Sequence, residues 1–198
     1  MKRLAFLASG GGSNVQAILD ACQGGRLQAE PVLLISNNSD AYALQRAEQA
    51  GIQSLHMSQK TCGSFEALDQ DMVTCLQENT IDWVILAGYM KKIGPRLLQA
   101  YAGRLFNIHP SLLPKFGGQG MYGMNVHKAV IAAGEKESGA TIHCVTGEYD
   151  QGRILAQAQV AVLDDDTPES LAARVLKEEH RLYAETLQKI ISGKISLA

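Results

Sequence analysis

Between Leu4 and Ile108 the chain alternates short apolar runs with longer amphipathic segments, and that alternation leaves few architectures open. Leu4–Ala8, Pro31–Ser36, Gln53–His56, Asp82–Ala87 and Leu105–Ile108 read as strands. Val15–Cys22, Ala41–Ala50, Ser64–Asn79 and Leu97–Tyr101 read as helices between them. The run from Asp82 to Ala87 is almost continuously apolar, as in a strand covered on both faces. Helical returns between strands imply parallel neighbours, hence a doubly wound, mostly parallel α/β sheet. Ser13 or Asn14 is the expected cap of the first helix, and Gly51 the stop of the second. After Pro114 the rhythm changes. A loose loop holding Gly117, Gly118, Gly120 and Gly123 precedes a helix at Val126–Ala133. The strands Ala140–Val145 and Ile154–Val162 lie close enough in sequence to pair antiparallel. Thr167 and Pro168 open a last helix reaching about Ile191. No linker divides the 198 residues, so one domain is expected, with a nucleotide-type half over 1–110 and a second half over 111–198.

Composition narrows the function. Charged residues are 19% of the chain and the net charge is −2, which gives no electrostatic case for nucleic acid. No apolar stretch approaches membrane-spanning length, and the apolar run after Met1-Lys2-Arg3 breaks at Ser9-Gly10-Gly11-Gly12, too early for a signal peptide. Cys22, Cys62, Cys75 and Cys144 are widely spaced and form no C-x-x-C pair, so they read as idle thiols of a reducing cytoplasm. His56, His127 and His180 have no partner at metal-ligand spacing, so no metal is assigned.

Three motifs carry chemistry. The loop Ser9–Asn14 follows a strand and opens a helix, where glycines permit close anion approach and the helix start supplies N–H groups. Val15 stands where a dinucleotide fingerprint needs glycine, and no P-loop lysine is present, so the choice is a phosphomonoester site or a plain tight turn. The second motif is Asn107-Ile108-His109-Pro110-Ser111-Leu112-Leu113-Pro114, followed by Asp150. An amide donates to an oxyanion, an imidazole carries a proton and a carboxylate supports its charge. Pro110 favours an extended His109, placing it at a strand end. The third is Tyr89–Ile93, past the carboxyl end of a strand, where ligands of open α/β sheets bind.

The Asn107–Pro114 string, with Ser9–Asn14, Leu86–Met90, Gly139–Val145, Asp150-Gln151-Gly152 and Glu179-His180, resembles the folate-dependent formyltransferases nearly end to end. The resemblance implies a formyltransferase fold and transfer of the formyl group of 10-formyltetrahydrofolate, as co-substrate, to the amine of phosphoribosylglycinamide in purine synthesis. It further implies that Asn107 and a cationic His109 hold the oxyanion, that Asp150 supports His109, and that Gly12, Ser13 and Asn14 bind the phosphate. Met90, Lys91, Lys92 and Ile93, with Thr146, Gly147, Glu148, Tyr149, Asp150 and Asn107, are implied to bind folate. Glu179 is implied to attract the substrate ammonium, although its charged neighbours otherwise suggest a solvated helix face. His143, on an alternating strand, is expected to support the Asp150 loop.

Two departures stand out. Residues 115–125 are longer than in familiar members and read as a lid or a passive loop, and Phe65 occupies a position where a basic residue is expected, leaving Lys60 as the nearest cation. Relatives that hydrolyse the donor tend to a second His where this chain has Pro110, and a tRNA-acting relative needs a basic C-terminal domain. A formyltransferase for another sugar phosphate, or a non-catalytic sugar-phosphate module, is the remaining alternative. The small-molecule substrates are the expected partners, with a monomer or weak homodimer as the assembly.

Overall fold

The computed structural model describes residues 1–197. Its seven strands are β1 (Lys2–Ala8), β2 (Ala29–Ser36), β3 (Gln53–His56), β4 (Trp83–Leu86), β5 (Leu105–His109), β6 (Glu137–Cys144) and β7 (Ile154–Ala161). They form one sheet in the order β3-β2-β1-β4-β5-β6-β7. The helices are α1 (Ser13–Gln23), α2 (Tyr42–Gln49), α3 (Gln59–Cys62), α4 (Phe65–Glu78), α5 (Pro95–Ala100), α6 (Met124–Ala132) and α7 (Pro168–Ile191). The residues group into two compact units, Met1–Phe106 with Leu197, and Asn107–Ser196.

In the first unit β1 pairs parallel with β2 and β4, and β2 parallel with β3. Leu4–Ala8 and all four residues of β4 are buried, as strands covered on both faces must be. Trp83 meets Phe106 edge to face, with ring centroids 5.4 Å apart. Asp69, itself buried, accepts from the Arg96 and Leu97 N–H groups and so caps α5 from α4. α3 adds a helix between β3 and α4 that is not among those read from the sequence; the Ser58–Thr61 capping box closes this single turn, too short for hydrophobic periodicity to reveal.

In the second unit β6 and β7 form the expected antiparallel pair. α7 packs on both strands and on α6. Leu171, Val175, Leu182, Leu187 and Ile190 form its buried stripe. Thr167 caps it in a reciprocal box with Ser170, and Pro168 occupies its first turn. Thr167→Ala is expected to cost about 1 kcal/mol, read from the urea midpoint.

The sequence expectation of a Ser13 or Asn14 cap is corrected. α1 starts at Ser13, and its N-cap is Gly12 in the left-handed region (φ 68°, ψ 31°) with no side-chain cap. Only glycine takes that conformation cheaply, and it starts the helix early enough to draw both polar residues into the first turn.

Candidate active site

In the first unit the end of β1 leads into a loop whose geometry is set by its neighbours. The buried Ser9 hydroxyl donates to Asn37 Oδ1 and accepts from the Met90 N–H at 2.7 Å. Ser9 thereby joins the glycine loop to the start of the Met90–Ile93 segment that the resemblance implies to bind folate. Gly12 sits against α2, where an added Cβ would lie 2.7 Å from Ala43 Cβ. With no side chain capping α1, the helix start keeps its anion-binding character. Gly12 is the N-cap of α1, and Ser13 and Asn14 are its first two residues.

A cleft of about 1040 Å³ opens beside this loop, lined among others by Ser9, Gly10, Gly11, Lys60, Phe65, Lys91 and Lys92. Phe65 and Leu68 give it an apolar wall, and its cations come from Lys60 and the Lys91-Lys92 pair. The missing basic residue at position 65 therefore leaves the cleft cationic. Met90 is exposed and Ile93 buried, so this segment offers one side chain to solvent and anchors the other.

The second unit brings Asn107, His109, His143 and Asp150 together. Asn107 and His109 lie two apart on β5 and project from one face. The turn after them is pinned by Thr141, whose hydroxyl donates to Ser111 O and accepts from the Leu113 N–H, while Gln157 donates to Leu113 O. That network accounts for the fixed shape of the Pro-Ser-Leu-Leu-Pro stretch.

Hydrogen-bond logic assigns the ring protons. His109 Nε2 lies 2.7 Å from the Phe116 carbonyl, which only accepts, so Nε2 carries hydrogen and Nδ1 faces Asp150 Oδ2 at 3.5 Å. His143 Nδ1 lies 2.9 Å from the Cys144 carbonyl and likewise carries hydrogen. Its Nε2 then accepts from Asn107 Nδ2 at 3.1 Å, which fixes the Asn107 amide with its nitrogen end toward β6. Asp150 Oδ1 is 3.5 Å from His143 Nε2, and the Gly118 N–H donates to Oδ2 at 2.9 Å. Asp150 holds this position with a left-handed backbone, φ 56°.

Burial of His109 lowers its pKa below the usual 6.5, outweighing the opposing pull of Asp150 and of the Phe116 carbonyl. Burial pushes the Asp150 carboxyl up, but His143, the Gly118 N–H and the His109 ring together bring it below its ordinary value. At neutral pH the resting site is a neutral His109 beside an ionised Asp150. The contact alone suggests an ion pair, but at 3.5 Å it does not repay desolvation of a ring that is 3% exposed.

Two contributions were invisible in the sequence. The Phe116 carbonyl and the Gly118 N–H hold His109 and Asp150 directly, so the start of the 115–125 segment belongs to the site. Phe116 (φ 55°), Gly118 and Gly120 carry the turn through left-handed conformations. His127 on α6 is buried, its Nδ1 without a hydrogen-bond partner among the described residues, and its pKa is lowered by burial and by His109. Glu179 is also corrected from a solvated face. It is 8% exposed, while Arg181 pairs outward with Glu178 and Glu185 at 2.7 Å each. Thr146–Tyr149 form an exposed turn after β6, with Asp150 at its end. All four cysteines are free thiols. No described helix is long and apolar enough to cross a membrane.

Residues 2–187 match the family model described as "Formyl transferase". A chloroplastic phosphoribosylglycinamide formyltransferase of Arabidopsis thaliana is 46% identical, over 98% of this chain and 67% of its own. The chain spans about two thirds of the plant relatives it matches. Phosphoribosylglycinamide formyltransferase of Haemophilus influenzae is 39% identical over 100% of this chain and 91% of its own. Among solved structures, glycinamide ribonucleotide transformylase 1 of Symbiobacterium toebii superposes with a TM-score of 0.92. It is 42% identical and is covered over 98% of this chain and 89% of that one.

Proposed function

The chain belongs to the formyl transferase family, and from that premise we propose that it moves the formyl group of 10-formyltetrahydrofolate to the amine of phosphoribosylglycinamide. The products are formylglycinamide ribonucleotide and tetrahydrofolate, in the formation of purines. The observation that carries this reading is a chain of contacts from Asn107 to His143, from His143 to Asp150 and from Asp150 to His109, which gathers an amide donor, two imidazoles and a carboxylate.

The neutral amine attacks the formyl carbon, and the carbonyl electrons move onto oxygen. Asn107 Nδ2 has two hydrogens; one is given to His143 and the other meets the oxyanion. The new ammonium passes a proton to His109 Nδ1. The resulting imidazolium lies beside Asp150 and stabilises the oxyanion. The proton then goes to the folate nitrogen, whose bond to carbon breaks as the formamide carbonyl re-forms. Gly12, Ser13 and Asn14 bind the phosphate. Met90–Ile93 and Thr146–Asp150 hold the folate, and Glu179 draws the acceptor amine. The chemistry needs no metal. The family match runs through both units, which supports reading 1–198 as one formyltransferase domain. Free, widely spaced thiols support a cytoplasmic setting, and a monomer or weak homodimer is the assembly we propose.

A panel of acceptors tests this: phosphoribosylglycinamide, its dephosphorylated form, and methionyl-tRNA, with a formyl-dideazafolate donor followed by absorbance. Turnover is expected with the first, weakly with the second, and not with the third. Equal turnover without any acceptor contradicts the proposal.

The pH profile follows from the neutral His109. Its folded pKa lies below 6.5, so the folded state binds fewer protons than the unfolded one. Activity and this ring's contribution to stability are full above about 6.5 and fall as pH drops through the lowered value. Asp150→Asn removes the group that raises the His109 pKa, so its acid limb in kcat/KM should move to lower pH. Activity that rises on acidification would require a cationic resting His109.

A further inference from the structure

Three consecutive glycines give the loop before α1 almost no intrinsic preference for one orientation of its peptide planes. Something outside the loop must choose, and α2 does so. The Ala43 N–H donates to Gly10 O at 3.0 Å, and Arg46 Nε donates to Gly11 O at 2.8 Å. The Arg46 guanidinium is itself held, by Gln16 Oε1 at 3.0 Å and by the Tyr42 ring, 4.8 Å from its centroid. Both glycine carbonyls are therefore turned to α2. In a trans peptide the N–H points opposite to the C=O, and the only cis bond in the described residues is Leu113–Pro114. The N–H groups of Gly11 and Gly12 are consequently presented away from α2, in series with the start of α1, as a concave set of donors suited to an anion.

We propose that Arg46 is a positioning residue for the acceptor's phosphate, acting through the Gly11–Gly12 peptide and not by touching the ligand. This rests on the reading of the glycine loop as the phosphate site. Without the Arg46 donor the Gly11 carbonyl loses the hydrogen bond that holds it, and rotation of the peptide between two glycines meets little steric resistance. The rotated peptide would turn a carbonyl oxygen toward the phosphate. Ala43 alone does not prevent this, because its bond is to the preceding carbonyl.

The test uses the whole protein with R46A and R46Q. The Gln amide nitrogen sits the same number of bonds from the backbone as Arg Nε, so R46Q keeps the donor and removes the charge. R46A is expected to raise KM for phosphoribosylglycinamide by about tenfold or more, the scale of a hydrogen bond to a charged group, with a smaller change in kcat. The preference for phosphorylated over dephosphorylated acceptor should shrink by the same factor, and R46Q should recover most of the loss. An unchanged KM in R46A, an R46Q no better than R46A, or equal losses on both acceptors would each overturn the proposal. If the wild-type protein transfers no formyl group at all, the functional reading fails first. If it transfers and prefers the phosphorylated acceptor, but R46A does so equally, only the role of Arg46 fails.

Discussion

Replacing His109 by alanine is expected to lower kcat about a thousandfold, within the range for loss of a general acid–base group or an oxyanion donor. The expectation rests on position. Nε2 is committed to the Phe116 carbonyl, so Nδ1, which faces Asp150 Oδ2 at 3.5 Å, is the ring nitrogen left with a lone pair to take the proton from the attacking amine. No other imidazole replaces it: His143 is tied to Cys144 O and Asn107. The loop proposed to bind the phosphate belongs to the unit that does not contain His109, so acceptor affinity should survive. Steady-state kinetics with acceptor titration reads both quantities. Equal collapse of binding and turnover would mark His109 as structural.

Gly152→Ala is expected to cost about 3 kcal/mol or more of stability, with loss of turnover in whatever folds. An added Cβ would run into the Cys144 carbonyl oxygen, a clash of side chain against backbone that no rotamer relieves. That carbonyl fixes the His143 ring proton, which fixes the Asn107 amide. Asp150, two residues before Gly152, depends on the same turn. Denaturant unfolding provides the check. Gly147→Ala is the comparison, since a Cβ there meets nothing within 4 Å, and it should lie within about 0.5 kcal/mol of wild type. Similar stability for both variants would show that the turn yields.

The strand and helix order was legible because burial on both faces writes continuous apolar runs, as in β4, and burial on one face writes alternation, as near the end of β7. The α7 start was legible from Thr167-Pro168, a local signal. The α1 start was not, because Gly12 reaches its left-handed conformation through packing against Ala43, a residue of another helix. The identities at the site were readable as a motif, but their protonation was not. The lowered pKa of His109 follows from burial, which outweighs the opposing pull of Asp150 and of a backbone carbonyl seven residues away, and the side-chain pattern encodes none of that balance. Glu179 looked solvated because its neighbours are charged. Only the outward pairing of Arg181 with Glu178 and Glu185 shows which of the acidic residues turns inward.

The most direct measurement follows the transferred carbon itself. Donor labelled with carbon-13 in its formyl group is mixed with phosphoribosylglycinamide and a stoichiometric amount of protein, and the label is located by NMR. The account predicts its appearance in the formamide of the acceptor, with no free formate. Label released as formate, with the acceptor unmodified, would contradict it and make the chain a hydrolase of the donor.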